Sequence, residues 1–408
     1  MPSCLAIDQL SPAKLAGESN ETHTLQASFE VSYRFPVVFT SNVFDLDNPV
    51  LAQTLCLQEP DKQHRVLLFI EEAVAQCSPH LAEQWTRYAQ HNSASIQCSG
   101  AAEIIPGGEH AKDDWHLQER LSACIENHAI DRHSFVVAIG GGAMLDAVGL
   151  AAATAHRGVR LIRLPTTVLA QNDAGIGVKN GINRFGQKNW YGTFAPPFAV
   201  INDDAFLHTL GPVDRRAGMA EAVKVALIRD AGFFNWIEAN TTALAQFDIK
   251  AVRYLIERCA QLHLQQITQG GDPFERGTAR PLDFGHWAAH RLEKMTQHRL
   301  GHGDAVALGI ALDCRYAHLH GLLDNASLAR IINVLKDLGF PMTDPALFEE
   351  DDAGCCALLE GLNDFQRHLG GKLTITLLSH IGVGVEVHEM HAGTIEKAIR
   401  QMQTGDVV

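Results

Sequence analysis

One junction constrains the fold of this chain more than any other feature. Ser134-Phe-Val-Val-Ala-Ile139 is an unbroken apolar run that stops at Gly140-Gly141-Gly142. Small residues from Ala143 to Ala155 follow, and then a second apolar run from Val159 to Leu164. Strand, glycine turn, helix and strand make a βαβ unit, which belongs in a parallel sheet covered by helices. Glycines in such a turn let the backbone approach a pyrophosphate, and the helix N-terminus offers free N–H groups and a positive dipole end. The turn is not GxGxxG, so a plain tight turn is an equal reading of it alone. Asp146 would then be a surface residue of the helix. Arg65 to Ile70 reads as another buried strand, and Pro79–Gln90 and Asp113–Glu126 as helices. From about Gly211 the period becomes helical, over Ala217–Ile228, Lys250–Ile267, His286–Met295, Asp304–His320 and Ser327–Leu338. A β-like run, Lys372–Leu378, precedes a last helix near Thr394–Gln403. The expected organisation is a lead-in over residues 1–28, an α/β domain over 29–207 and a helical domain over 208–408.

Composition narrows the function. The chain has 408 residues, enough for two domains, with 46% apolar and 20% charged residues. Acidic residues number 47 against 33 basic, a net charge of −14, which argues against a nucleic-acid binder. A small anionic substrate stays open, because a few local Lys and Arg can dominate a pocket. No apolar run reaches 18 residues, so no membrane span is expected, and Met1 to Glu30 lacks a signal pattern. The nine Cys are an odd count without CxxC spacing, and adjacent Cys355-Cys356 is a poor disulfide candidate. They read as reduced, mostly core thiols of a cytoplasmic protein.

Seven blocks then follow one another in a fixed order. They are IPGGEHAK (Ile105–Lys112), GGGAMLDAVGLAAATAHRG (Gly140–Gly158), PTTVLAQNDAGIGVKNGIN (Pro165–Asn183) and KNWYGTF (Lys188–Phe194). AGMAEAVK (Ala217–Lys224), DFGHWAAH (Asp283–His290) and GHGDAVALG (Gly301–Gly309) complete the set. In these blocks, from about Val66 to the C-terminal helix, the chain resembles the sugar phosphate cyclases, whose best-known member is 3-dehydroquinate synthase. The resemblance implies a Rossmann-like NAD domain followed by an all-α metal- and substrate-binding domain.

It also implies roles. Glu221, His286 and His302 occupy the three metal positions, and one carboxylate with two neutral imidazoles suits Zn²⁺ or Co²⁺ acting as a Lewis acid. The bland reading is a helix-surface carboxylate and two core histidines. A rival reading pairs His286 with His290, since HxxxH puts both on one helix face. The resemblance instead sets His290 beside the metal or the substrate phosphate, in a catalytic group with Lys179, Lys224 and Asp173. Lys188 and Asn189 match positions that hold substrate. Arg157 matches one that reaches the phosphate across a homodimer, though an Arg closing a helix reads nearly as well. Glu71 (or Glu72), Glu109, Lys112, Gly140, Gly141, Gly142, Asp146, Thr166 and Thr167 fall where the family holds its cofactor. An acid at the end of the first strand favours NAD over NADP.

The departures bear on substrate. Dehydroquinate synthases hold the substrate carboxylate with an Arg four residues before an Asn, and with a Lys further upstream. Here those positions are Ala279, Asp283 and about Gln265, with Arg280 offset by one. An acid in place of two cations disfavours a carboxylate and points to a neutral-headed heptulose phosphate such as sedoheptulose 7-phosphate. His290 is kept where 2-epi-5-epi-valiolone synthases usually carry Pro, so the chain is typical of neither group and a 2-epi-valiolone-type or unassigned cyclase fits best. Arg367 or His368 stands near the family's C-terminal phosphate-binding Lys. The expected activity is a redox-neutral, NAD- and metal-dependent carbon–oxygen lyase that oxidises, eliminates phosphate, reduces and closes a C7 ring. The alternatives are dehydroquinate synthesis itself, a metal-dependent alcohol or glycerol dehydrogenase, and a catalytically dead relative.

Overall fold

The computed structural model describes residues 25–274, 281–369 and 371–404. Ala279, Arg280 and the first 24 residues of the expected lead-in lie outside them. The chain divides into residues 1–34 and a compact unit, Phe35–Val408. Residues 25–34 carry no helix or strand.

The N-terminal half of the compact unit is α/β. In chain order it comprises β1 (Val37–Thr40), α1 (Val50–Leu55), β2 (His64–Glu71), α2 (Glu72–Cys77), α3 (Leu81–His91), β3 (Ile96–Cys98) and β4 (Glu103–Ile105). Then come α4 (Trp115–Asn127), β5 (Phe135–Gly140), α5 (Gly142–Thr154), β6 (Arg160–Pro165), β7 (Lys179–Arg184), β8 (Gln187–Phe194) and β9 (Ala199–Asp203). Seven of these strands form a parallel sheet of order β1-β9-β6-β5-β2-β3, with β4 also pairing with β2. All six residues of β5 are buried, because the strand is central and both faces are covered. Its side chains alternate between faces: Phe135, Val137 and Ile139 pack with Leu51, Trp85 and Tyr88, while Val136 and Ala138 pack with Leu117, Leu121 and Val148. The chain leaves β2 for β3 and β4 on one side and returns to β5 on the other. That reversal opens a crevice at the carboxyl ends of β2 and β5, where Glu71 and the three glycines lie.

The C-terminal half is helical: α6 (Pro212–Arg229), α7 (Ala231–Ala239), α8 (Thr241–Ala245), α9 (Ile249–Gln269), α10 (His286–Met295), α11 (His302–Leu319), α12 (Asn325–Asp337), α13 (Glu360–Leu369) and α14 (Ala392–Thr404). The hairpin β10 (Ile375–His380) and β11 (Val383–Val387) precedes α14. Helix α11 is buried nearly all round, from Gly303 to Ala317, so it is the central post of this half. No helix among the described residues is long and apolar enough to cross a membrane.

One sequence reading changes, and one unassigned stretch gains structure. Of the eight described cysteines, all free thiols, only Cys259 and Cys314 are buried. Cys77, Cys98 and Cys355 are exposed at an element end, on an outer strand and in a loop, so the thiols are not mostly core. The stretch after Pro165, to which the sequence assigned no element, is structured. It forms a π-helical turn over Ala170–Ala174 and then the antiparallel hairpin β7–β8, a separate two-stranded sheet. Strands β1 and β9 and helices α1 and α7 were also unmarked by the sequence periodicity.

Candidate active site

Three helices bring Glu221, His286 and His302 together. Glu221 lies in α6, while His286 and His302 are the first residues of α10 and α11. One ligand atom from each falls within 4.8 Å of the others, the one such group among the described residues. Both imidazole Nε2 atoms stand 3.4 Å from Glu221 Oε1. His286 Nδ1 lies 3.1 Å from the Phe284 carbonyl, which leaves Nε2 as its lone-pair atom. His302 Nδ1 faces Glu293 Oε2 at 3.4 Å. Glu221 is fully buried and neither of its oxygens makes a hydrogen bond, although the Lys224 ammonium closes on Oε2 from one turn along α6. Burial disfavours charge on His302, yet Glu293 and Glu221 outweigh it and push that imidazole up to about 10. Two buried carboxylates against one imidazole form a site that calls for a cation. The donor set, one oxygen and two nitrogens with their outer atoms pinned, fits Zn²⁺ or Co²⁺. His290 joins no such group. Its ring centroid lies 5.3 Å from that of His286 and 6.4 Å from that of His302.

The helix starts that carry these imidazoles are held from behind. Gly285, at φ 77°, precedes His286, and a Cβ there would meet Ile310 N of α11 at 2.8 Å. Only glycine permits that turn and that approach. Asp313 of α11 accepts from Gly285 N at 3.1 Å and from Trp287 Nε1 at 2.8 Å. One carboxylate therefore fixes both neighbours of His286.

Around this group lie the other charged candidates. Desolvation in the cleft, with His286 beside it, pushes the His290 imidazole pKa down, so the ring is neutral. Asp283 is half-buried in a short turn. Burial works against its charge, but His286, Lys179 and Lys224 outweigh burial and hold its carboxyl below the usual range. Burial likewise opposes charge on Lys224, and Glu221 and Asp173 restore it. Asp173, in the π-helical turn, pairs with His263 Nδ1 at 2.8 Å. Lys188 Nζ is tied between Glu293 at 3.3 Å and Glu109 at 3.8 Å. Arg157 sits exposed in the turn after α5, at φ 64°. The structure does not bring Arg367 to this cluster, because its guanidinium pairs with Glu360 at 2.8 Å and Asp364 at 3.5 Å on the exposed face of α13. Gln265 is exposed on α9.

The crevice at the β2–β5 reversal gathers the cofactor candidates. Glu71 Oε2 accepts from Gly141 N at 2.6 Å, and burial raises the Glu71 carboxyl pKa. Glu72 turns away, and its Oε1 accepts from Gln76 at 3.2 Å. Gly140 ends β5, Gly142 opens α5, and Thr166 N donates to the Gly140 carbonyl at 3.0 Å. Thr167 Oγ1 accepts from Ala170 N at 3.0 Å. Lys112 is buried and donates to Asp146 at 2.8 Å and to Asn189 Oδ1 at 2.6 Å. Glu109 accepts from Asn183 Nδ2 at 3.1 Å. The hairpin β7–β8 thus joins the crevice to the metal group.

Sequence reasoning missed Glu293 and His263. Glu293 was within reach, because His286, His290 and Glu293 recur at seven- and three-residue spacings that place them on one face of α10. His263 lies 90 residues from Asp173, with no local pattern to mark it.

Known proteins match this arrangement. The profile of the 3-dehydroquinate synthase N-terminal domain matches residues 102–217, and that of its C-terminal domain matches residues 218–354. A 3-dehydroquinate synthase of Shewanella sp. (strain MR-4) is 35% identical over 298 residues, 72% of this chain and 80% of that protein. A 2-epi-5-epi-valiolone synthase of Streptomyces glaucescens is 34% identical over 315 residues, 77% of each. The structure of ValA, a 2-epi-5-epi-valiolone synthase of Streptomyces hygroscopicus subsp. jinggangensis with NAD+ and Zn2+ bound, superimposes with a TM-score of 0.80 at 30% identity, covering 94% of this chain and 100% of that one. Ordered motifs, a parallel sheet with a helical half, and a Glu-His-His group of two buried residues and one half-buried residue agree with these matches, and the chain belongs to the sugar phosphate cyclase family.

Proposed function

We propose that this cyclase takes a heptulose phosphate, sedoheptulose 7-phosphate in the first instance, and converts it to a C7 cyclitol by oxidation, phosphate elimination, reduction and intramolecular aldol closure. NAD and a divalent ion, Zn²⁺ or Co²⁺, supply hydride acceptance and return and the Lewis acidity at the hydroxyl being oxidised. Glu221, His286 and His302 would hold the ion, with Lys224 balancing the Glu221 carboxylate. Glu71, Glu109, Lys112, Asp146, Thr166, Thr167 and the Gly140–Gly142 turn would hold the dinucleotide. Lys179, Lys188 and Asn189 would take the phosphate as point charges and donors. Neutral His290 would offer its ring nitrogens as a hydrogen-bond donor and acceptor beside the metal and the substrate phosphate, and Asp173 would face the reacting carbons. The active form would be a homodimer in which Arg157 reaches the phosphate in the partner's site.

The observation that carries the substrate reading is the ionised Asp283 among His286, Lys179 and Lys224. A substrate carboxylate set about 4–5 Å from it costs roughly 3–4 kcal/mol at an effective dielectric near 20, a factor of several hundred in binding. A hydroxymethyl group carries no charge and can donate a hydrogen bond to the same oxygen. The test is phosphate release from sedoheptulose 7-phosphate and from the seven-carbon keto-acid phosphate of dehydroquinate synthesis, each with NAD+ and Zn²⁺ or Co²⁺. Release from the heptulose alone is expected, and Asp283→Asn should raise release from the keto acid. Turnover of the keto acid at least as efficiently as the heptulose overturns the substrate reading in favour of dehydroquinate synthesis.

A further inference from the structure

Arg163 projects from β6 into the interior and is 0% exposed. Among the described residues it forms no ion pair with a carboxylate. Its guanidinium is spent on neutral acceptors. Nη1 donates to the carbonyls of Gly175 at 3.1 Å and Gly177 at 2.8 Å. Nη2 donates to the carbonyl of Lys179 at 3.1 Å and to Asn180 Oδ1 at 2.6 Å. Gly175 closes the π-helical turn with helical dihedrals and the chain turns through residues 176–178 into β7, so the three carbonyls converge on the guanidinium from the inside of a turn. A single planar fork can therefore hold all three. Helix α5 makes room for this arrangement. A Cβ on Gly149 would stand 1.9 Å from Asn180 Oδ1 and 3.5 Å from Arg163 Nη2. Asn180 Nδ2 in turn donates to the Ala195 carbonyl at 3.1 Å, which ties the node to the end of the hairpin.

A buried cation with no carboxylate in direct contact, only the charge of Asp146 acting from a distance, is costly, and an apolar side chain of similar volume would fill the same space without that cost. Stability alone does not account for it. What the guanidinium does control is the backbone from Gly175 to Asn180. That segment runs from the π-helical turn of Asp173 into Lys179, whose charge acts on Asp283 across the cleft. We propose that Arg163 is a positioning residue of the active site: its four hydrogen bonds fix the segment 175–180 so that Lys179 stands where the substrate anion is held. The inference rests on the cyclase reading for its kinetic consequence, but not for its structural one. A displacement of about 1 Å at a binding group is enough to cost on the order of 100-fold in rate.

The test uses Arg163→Lys, whose ammonium cannot span four acceptors, in the NAD- and metal-loaded protein. Phosphate release should show kcat/KM lowered about 30- to 100-fold, with metal stoichiometry unchanged. The same substitution made on Lys179→Ala should cost less than threefold more, because the two act as one unit. Methylguanidinium should recover at least fivefold of the rate of Arg163→Ala, and methylammonium should not. Gly149→Ala keeps the cation but pushes Asn180 aside, and should show a loss in the same direction. Amide hydrogen exchange should quicken at least tenfold over residues 174–181 in Arg163→Lys and stay unchanged in α6 and α11. A kcat/KM within threefold of the parent, or a loss fully multiplicative with Lys179→Ala, overturns the proposal. If the parent releases no phosphate from any sugar phosphate, the cyclase reading falls. The exchange experiment still decides the role of Arg163, and unchanged exchange over 174–181 refutes it.

Discussion

Glu221 enters the core with both carboxylate oxygens lacking hydrogen bonds, and a buried anion in that state needs a cation to offset its desolvation. Lys224 offsets part of that cost from one side, and two imidazole nitrogens open the other. Glu293 then decides how well His302 serves. It faces His302 Nδ1 and orients the ring while raising the basicity of Nε2. Glu293→Gln should therefore weaken Zn²⁺ or Co²⁺ binding by about 10- to 100-fold, read by competition with a chelating dye, with the circular dichroism spectrum unchanged. Glu221→Ala should bind no ion at this site, and His290→Ala should bind it with parent affinity while losing rate. Parent-like metal affinity in Glu293→Gln would remove Glu293 from the account, and loss of metal in His290→Ala would restore the HxxxH alternative.

At the scale of elements, the metal group depends on how closely α10 and α11 approach. Gly285 and Gly309 let the backbones touch: a Cβ on Gly309 would stand 2.0 Å from the Gly285 carbonyl oxygen. Asp313 bonds the start of α10 from within that contact. Its complete burial pushes the carboxyl up to about 7. Between the ordinary carboxylate value near 3.9 and that folded value, the folded protein keeps a proton that the unfolded chain releases. This group therefore adds stability below about pH 4 and withdraws it as pH rises through 7, at a slope approaching about 1.4 kcal/mol per pH unit. Asp313→Asn removes the ionisable group, at the cost of one of its two accepted N–H bonds at every pH. Its urea midpoint should fall less between pH 4.5 and 7.5 than that of the parent, and parallel curves for the two proteins would refute the assignment.

At the scale of the whole molecule, the hairpin β7–β8 carries a group of exposed aromatic residues. Strand β8 is exposed almost throughout, and Phe185, Trp190, Tyr191 and Phe194 present aromatic surface there. Arg157 is exposed in its own turn at positive φ, a conformation costly for a side chain of that kind. If the active form is a dimer with shared sites, mixing Arg157→Ala with Lys179→Ala should restore activity to about a quarter of the parent level. That figure follows from random pairing: half the dimers are mixed, and one of their two sites is intact. A monomer by sedimentation, or no recovery on mixing, would leave Arg157 as a turn residue.

What could be read from the chain was what is local. The run from Ser134 to Leu164 is continuous, so the strand, the glycine turn and the helix followed from adjacent residues, as did the helical periods after Gly211. Glu221, His286 and His302 were named through the resemblance of the short motifs around them to a known family, which implied a metal role for the three. Hairpin β7–β8 was not, since Lys179–Phe194 has polar residues on both faces and little apolar alternation. Arg367 shows the opposite failure: position along the chain suggested a phosphate ligand, whereas its nearest acids are Glu360 and Asp364. Tertiary structure alone decided the pairing of Asp173 with His263, the reach of Glu293 to both Lys188 and His302, and the burial of Arg163 beneath residues 175–180. Each joins residues separated by no regular period, so their contact depends on how the helices cross and where the sheet reverses. Periodicity records which face of an element is buried; it carries no information about which distant charge that face will meet.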